Sequence, residues 1–418
     1  MTAEAAPSAP SSEEPSLRFI ALMAFLFSLV AISIDMMLAS LPDIGRELSP
    51  GAPENAQLVL SVFFLALGLG TLLAGPIADA YGRRPLVLWG LALYALGAAL
   101  SWLAPTIETM MVGRALQGIG AAAPRVACMA VIRDRFEGAP MARTLSLVFM
   151  IFTLVPAIAP ILGEGVAHVA GWRMIFLIFV ICALTAALWF GLQQPETLPP
   201  EAHRPLRLRT WGSEVAEVLA HPQSRNALLV QLFVFGSLYS FLTGAALVFE
   251  QTLELDAAFP WILGAMSLTG AVTSWANARM VDRRGTRPIM RLSILAWLVV
   301  SVLGLAAILT GPTGMLEQAI VIAVMWASFL VLGFTIGNSN AEALQPMGHM
   351  AGTAAATVNS LSTLGGGLLT IIPTMAFDGT ARPLLAGVAL FAMAALWFTT
   401  RLSLSASRPL PVPPGPVQ

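Results

Sequence analysis

Residues 75 to 85 read GPIADAYGRRP, and residues 282 to 288 read DRRGTRP. Asp79, Gly82, Arg84 and Pro85 recur as Asp282, Gly285, Arg287 and Pro288, each displaced by 203 positions. A pattern D-x-x-G-x-R-P that returns half a chain later marks an internal repeat, and its flanks say what is repeated. They are apolar runs of the length that crosses hydrocarbon, about 20 residues. Such runs can be marked off twelve times, at 18 to 41, 56 to 78, 85 to 103, 108 to 131, 143 to 166, 172 to 192, 226 to 248, 259 to 280, 288 to 310, 317 to 340, 350 to 376 and 382 to 401. The first copy follows the second run and the other copy follows the eighth. The twelve runs therefore divide into two halves of six.

Composition agrees. Of 418 residues 57% are apolar and 11% charged, against about 25% charged in soluble domains. One aqueous core could not bury so much apolar side chain, so the bilayer must act as solvent for much of it. The expected fold is an all-α membrane protein of twelve transmembrane helices in two six-helix pseudo-repeat bundles. The expected parts are an N-terminal tail (1–17), a first bundle (18–192), a linker (193–225), a second bundle (226–402) and a C-terminal tail (403–418). Both tails are rich in Pro and small or polar residues and are expected to be disordered. The first tail, acidic and followed by a long apolar run, does not read as a secretory signal. The linker contains QQPETLPPEAHRPLRLRTWGSEV, the only long polar internal stretch. With both termini cytoplasmic, 17 arginines lie inside, 3 outside (Arg46, Arg173, Arg382) and 2 within the membrane (Arg114, Arg125). The positive-inside rule then sets that orientation.

Several functions are excluded. A net charge of -1 with no basic run offers nothing to nucleic acid. All 22 basic residues are arginine, so a phosphate-binding loop lacks its lysine and ATP hydrolysis by this chain is not expected. Cys128 and Cys182 fall inside apolar runs and read as small buried side chains. The four histidines are scattered, so no metal site is expected, and no cofactor.

The loop motif and its echo, RALQGIGAAA at 114 to 123, PAIAPILGEG at 156 to 165 with GWRMIF after it, DMMLASLP at 35 to 42 and AEALQPMGHMAGTAAA at 341 to 356 together resemble the major facilitator superfamily. The resemblance is to its drug:proton antiporter branch near the Bcr/CflA group, over about residues 18 to 402. It implies the two-bundle fold, alternating access and a cytoplasmic gate latched by the loop motif. The gating residues would be Gly75, Asp79, Gly82, Arg83, Arg84, Asp282, Gly285 and Arg287. Read alone, the arginines could serve only orientation, with Asp79 neutralising them; Gly75 would let a neighbouring helix come close.

Asp35 sits about two-thirds along the first run, where a carboxylate is costly and therefore a functional candidate. It could instead be tied to a backbone group or an arginine. Arg114 and Arg125, eleven residues apart on nearly one face, must point into the bundle, and Asp35 is the expected partner of one of them. The resemblance assigns proton coupling to Arg114; Arg125 is a candidate for substrate selectivity. Gln117, with the small residues after it, serves packing or the cavity. Asn338, Asn340, Asn359 and Gln231 face the cavity or bond between helices. Pro156 and Pro160 should kink the fifth run, and with Gly163 they resemble the antiporter motif, although Ala159 and Glu164 stand where it has glycine. Glu164 reads as interfacial or as a second proton site.

The function these readings imply is proton-coupled efflux of small, largely apolar drugs or metabolites across a bacterial inner membrane by a monomer. The partners are the drug-like substrate, protons and the lipid bilayer. A proton-coupled importer would keep the loop motifs but lack the proline-glycine fifth helix. The permease half of an ATP-driven complex would not repeat D-x-x-G-x-R-P. A membrane-embedded enzyme would need a convergent nucleophile or metal set, which the sequence does not offer.

Overall fold

The computed structural model describes residues 15–203 and 208–405. Among the described residues there is no strand, and fifteen α-helices follow in order. They are α1 (Leu17–Asp35), α2 (Leu41–Leu48), α3 (Ala56–Tyr81), α4 (Arg83–Trp102), α5 (Ile107–Arg135), α6 (Gly138–Ala170), α7 (Arg173–Gln193) and α8 (Leu208–Ala220). The second half follows with α9 (Pro222–Leu247), α10 (Phe259–Arg284), α11 (Thr286–Leu309), α12 (Met315–Leu344), α13 (Ala351–Leu369), α14 (Ile371–Met375) and α15 (Arg382–Ser405). Three of them, α2, α8 and α14, are short; each of the other twelve corresponds to one apolar run. Ten stretches are long and apolar enough to cross a membrane, one of which, Met315–Met375, holds both α12 and α13. The long helix outside that set is α10, whose Thr269, Thr273 and Asn277 dilute its apolar residues. They face α12, where Trp326 Nε1 donates to Thr269 at 3.0 Å and Asn338 Nδ2 donates to Asn277 at 2.8 Å.

The peripheral helices carry the inverse of a soluble pattern. Ile181, Leu184, Leu188 and Leu192 of α7 are exposed at helical spacing, as are Leu292, Leu295, Val299 and Leu303 of α11. Such a stripe suits hydrocarbon rather than water. The halves meet where α3 packs on α13 and α6 on α10. Their joining contacts gather toward the end of the bundle that carries α2. There Arg46 of α2 pairs with Glu250 at 2.5 Å, Ser61 Oγ lies 2.8 Å from Thr370 Oγ1, and the Phe64 and Tyr239 rings stack 3.9 Å apart. The loop motifs lie at the opposite end.

Three features depart from the sequence reading. The first run is not one helix, since α1 stops at Asp35 and a 3-10 turn, Leu38–Ser40, leads into α2. Pro42, at the start of α2, has no N–H to continue α1. The linker is not all loop either. Four of its five prolines lie at 195–205, and beyond them Trp211, Val215, Val218 and Leu219 recur at helical spacing in α8, with Val218 fully buried. Finally, the run at 350 to 376 is broken at Thr370 between α13 and α14. Nearly all of both terminal tails lies outside the described residues.

Candidate functional site

The first half is built on a backbone seam between α4 and α5. A Cβ on Gly97 would stand 2.5 Å from the Gly113 carbonyl oxygen, and one on Gly120 would stand 2.6 Å from that of Gly90. Glycine at these positions lets the helices touch main chain to main chain. The seam sets Tyr94 of α4 and Arg114 and Gln117 of α5 against α1. Tyr94 Oη lies 2.5 Å from Ser33 Oγ. Arg114, fully buried, donates from Nη1 to Gln117 Oε1 at 2.6 Å and from Nη2 to the Ser33 carbonyl at 3.1 Å. Its guanidinium also lies 4.2 Å from the centre of the Phe63 ring, a cation–π contact.

Asp35 is the last residue of α1 and 5% exposed. The arginine expected beside it is elsewhere: Arg114 is committed to Gln117 and to a main-chain carbonyl two residues before Asp35. Arg125 is farther still. Eleven helical residues span about 16 Å, and its guanidinium lies 5.8 Å from the Phe27 ring, eight residues before Asp35 on α1. Among the described residues no ion pair joins Asp35 to either arginine. Immediately after Asp35, the Met36 carbonyl rests on Gly163 of α6, where a Cβ would fall 1.9 Å from its oxygen. Pro156 and Pro160 lie inside α6, which continues as one helix through both. Glu164 is half-buried beside Gly163.

At the motif end, Gly82 and Gly285 both take left-handed backbone, with φ of 100° and 75°. Glycine is the residue that adopts it without strain. Arg83, 5% exposed, donates from Nη1 to Asp79 at 2.6 Å and from Nε to Asp134 at 3.3 Å. Both acids belong to the same half as Arg83. The Arg83 and Arg84 amides, the first of α4, each donate to Glu196 at 2.9 Å. Partial burial pushes the Glu196 carboxyl up, but amides from Leu198, Arg83, Arg84 and Thr197 outweigh it and hold it below the usual carboxylate range. Arg84 also donates to the Gly191 carbonyl at 2.8 Å. In the second half Arg287 pairs with Glu342 at 2.8 Å, and Thr286 donates to the same carboxylate, while Asp282 is exposed. Gly75 is not at a close approach: a Cβ there would meet nothing within 4 Å, because in this conformation no neighbouring helix packs on that face.

The second half supplies amides. Gln231 Nε2 donates to Asn359 Oδ1 at 2.9 Å, Ser339 Oγ donates to Gln231 Oε1 at 3.2 Å, and Asn340 Nδ2 reaches Asn359 Oδ1 at 3.5 Å. Asn338 bonds Asn277 and the Phe334 carbonyl. Of the two readings open for these residues, the structure displays the bonds between helices.

The sequence reading missed Asp134, Glu196, Glu342, Ser33 and Tyr94. Glu196 and Glu342 carry a weak signal, each being an acid near a helix end on the side of the loop motifs, beside a motif arginine. Asp134 reads as one more charge in RDRF, and a lone Ser33 or Tyr94 reads as nothing.

Twelve long helices in two packed halves, with charged groups sealed in the core of one and amides in the other, define a membrane transporter fold rather than an enzyme. A profile of the Major Facilitator Superfamily matches residues 23–370, and the chain belongs to that family. It is 26% identical to the bicyclomycin resistance protein homolog of Haemophilus influenzae, over 90% of this chain and 93% of that one. It is 25% identical to multidrug resistance protein D of Escherichia coli K12, over 86% of this chain and 89% of that one. Among solved structures it resembles a D-xylose–proton symporter with a TM-score of 0.71 at 14% identity, over 91% of this chain and 96% of that one, a likeness of fold alone.

Proposed function

We propose that this transporter exports small, largely apolar drugs or metabolites across the bacterial inner membrane in exchange for protons. Its loop-motif end and both termini face the cytoplasm, and its α2 end faces out. The observation that carries the reading is Asp35, a buried carboxyl at a helix end two residues beyond the carbonyl that Arg114 grips. An antiporter must alternate a neutral site with a charged one. A buried carboxyl outside any ion pair, at the end of the helix whose Ser33 carbonyl Arg114 grips, can make that exchange if the α1 end moves. The α1 end rests on α6 through Gly163, so a shift of α6 would reach Asp35 directly. The contacts that join the halves at the α2 end support an alternating-access cycle in which this state is shut toward the outside. The names borne by the two bacterial relatives support drugs as cargo. The domain limits that fit the contacts are a first bundle to residue 193, a linker that includes α8, and a second bundle from residue 222.

The test is Asp35→Asn in liposomes carrying purified protein. A pH gradient should no longer drive accumulation of a phenicol, while exchange down the substrate's own gradient persists. Accumulation at the wild-type rate would place the proton carrier elsewhere, with Glu164 next in line.

A further inference from the structure

The repeat that divides the chain also shows what one half carries in surplus. Displaced by 203 positions, Arg279, Arg283, Arg284 and Arg291 fall on Pro76, Ala80, Tyr81 and Leu88. The turn itself needs none of them, since Gly82 makes the same left-handed turn as Gly285 without them. All four are exposed, and among the described residues none makes a hydrogen bond or ion pair. Arg287, between them, is taken by Glu342, and Asp282 is the single acid from 279 to 291. Arg279 stands six residues before Gly285 and Arg291 six after it, so each starts about 9 Å along its helix from the turn. The next exposed large side chains inward are apolar, Val272 and Trp275 on α10 and Leu292 and Leu295 on α11. The Arg279 guanidinium lies 3.6 Å from the centre of the Trp275 ring, and a guanidinium held on a ring face keeps its N–H edges free.

From this arrangement we infer that the turn between α10 and α11 binds the phosphate headgroup of an anionic phospholipid, with Arg279 and Arg291 on the phosphate and the acyl chains along Val272, Trp275, Leu292 and Leu295. The inference stands on the membrane fold and needs no particular cargo. The surface has the two parts such a ligand needs. Guanidinium presents a planar fork that matches phosphate bidentately, and arginine stems lie along apolar surface while their heads reach the headgroup level. Trp275 marks the boundary, since indole rings settle where hydrocarbon meets headgroups. Arg283 and Arg284, at the tip of the turn, outweigh Asp282 and keep the field positive. Orientation in the membrane would be served by arginines in any of the loops on that side, whereas these four are gathered at one turn, unpaired, above exposed apolar faces. Each arginine beside an anionic surface is worth about fivefold in affinity.

The test counts lipids on purified full-length protein. Native mass spectrometry from detergent compares phosphatidylglycerol with phosphatidylcholine of the same acyl chains. Wild type should hold phosphatidylglycerol at least tenfold more tightly, and glycerol 1-phosphate should fail to displace it. Arg279→Gln with Arg291→Gln should lower the preference at least fivefold. Arg18→Gln with Arg133→Gln, which removes two exposed arginines of the first half, should leave it intact. Equal retention of the two lipids by wild type, a measurement that needs no variant, would overturn the proposal. So would an undiminished preference in the Arg279 and Arg291 variant, or an equal fall in the Arg18 and Arg133 variant, which would mean attraction to charge at large. Displacement by glycerol 1-phosphate would overturn the lipid as ligand in favour of free phosphate. Failure of the export reading leaves every one of these outcomes unchanged, because no transport is measured.

Discussion

Substituting Gly68→Ala should push the transporter out of the conformation described here. Gly68 lies on α3 where it crosses α13 of the other half. An added Cβ would stand 2.8 Å from Leu364 Cβ, 2.8 Å from its nitrogen and 2.9 Å from its Cα. Two of these atoms are main chain, so no rotamer relieves the clash. Ordinary contact begins near 3.4 Å, so the helices must part by about 0.6 Å or more, the overpacking regime that costs about 1–3 kcal/mol. A conformation that separates the α2 end has no such contact and bears none of that cost. The closed-to-open ratio should therefore fall by about 5- to 150-fold. Spin labels at Glu54→Cys and Ala376→Cys, with Cys128 and Cys182 replaced by alanine, report the gap by pulsed electron resonance. The long-distance population should grow in Gly68→Ala. Gly264→Ala, whose Cβ would stand 2.8 Å from the Ala157 carbonyl oxygen across the same interface, should do likewise. Unchanged distances in well-folded Gly68→Ala protein would refute the reasoning, since the contact would then not belong to one state.

Asp79→Asn should lower transport while membrane abundance holds. Asp79 is half-exposed and bonds Arg83 within its own half, so the static loss is only about 0–1 kcal/mol and any larger transport defect reports a contact made in another state. Glu196→Gln should cost about 0.5–2 kcal/mol through the weakened cap on α4. Because the folded carboxyl is held below its usual range, its contribution is complete above the unfolded value of about 4.3 and is lost as pH falls through the folded one. Thermal unfolding of wild type and variant should thus differ at pH 6–7, and the difference should shrink as pH falls below about 4.3. Arg287→Met strands Glu342, whose side chain is 7% exposed, and should lower stability by about 3 kcal/mol. Adding Glu342→Met should recover most of it, which differential scanning fluorimetry in detergent can check.

The twelve helices were legible because hydrocarbon imposes one long apolar run per crossing, and the 203-residue echo gave the division into halves without any packing information. What the sequence could not convey was where main chain accepts in place of side chain. Arg114 invites pairing with Asp35, the one carboxylate deep in its half, yet it bonds a carbonyl that carries no sequence signature. Gly75 beside the repeated motif suggests a close approach, whereas a Cβ on it would meet nothing within 4 Å, and a sequence does not say which helix face is left uncovered. The prolines of the linker hid α8, since they punctuate only its first part. Asn338 and Asn359 have capacity for both cargo and neighbours, and residue type alone does not choose.

A membrane voltage does work on charge and passes amides by. In the first half it finds Asp35, Arg114 and Arg125; in the middle of the second it finds Gln231, Asn338 and Asn359, which it cannot move. Carrying one elementary charge through 100 mV is worth about 2.3 kcal/mol, whereas swinging a neutral bundle through the same field is worth none. In the proposed cycle the electrical cost of a turnover is therefore set by two quantities alone, the protonation state of Asp35 and the charge of the cargo. An anion leaving while a proton enters adds charge movements in one sense, and a neutral cargo halves them, so the current per molecule exported would itself reveal what kind of molecule it was.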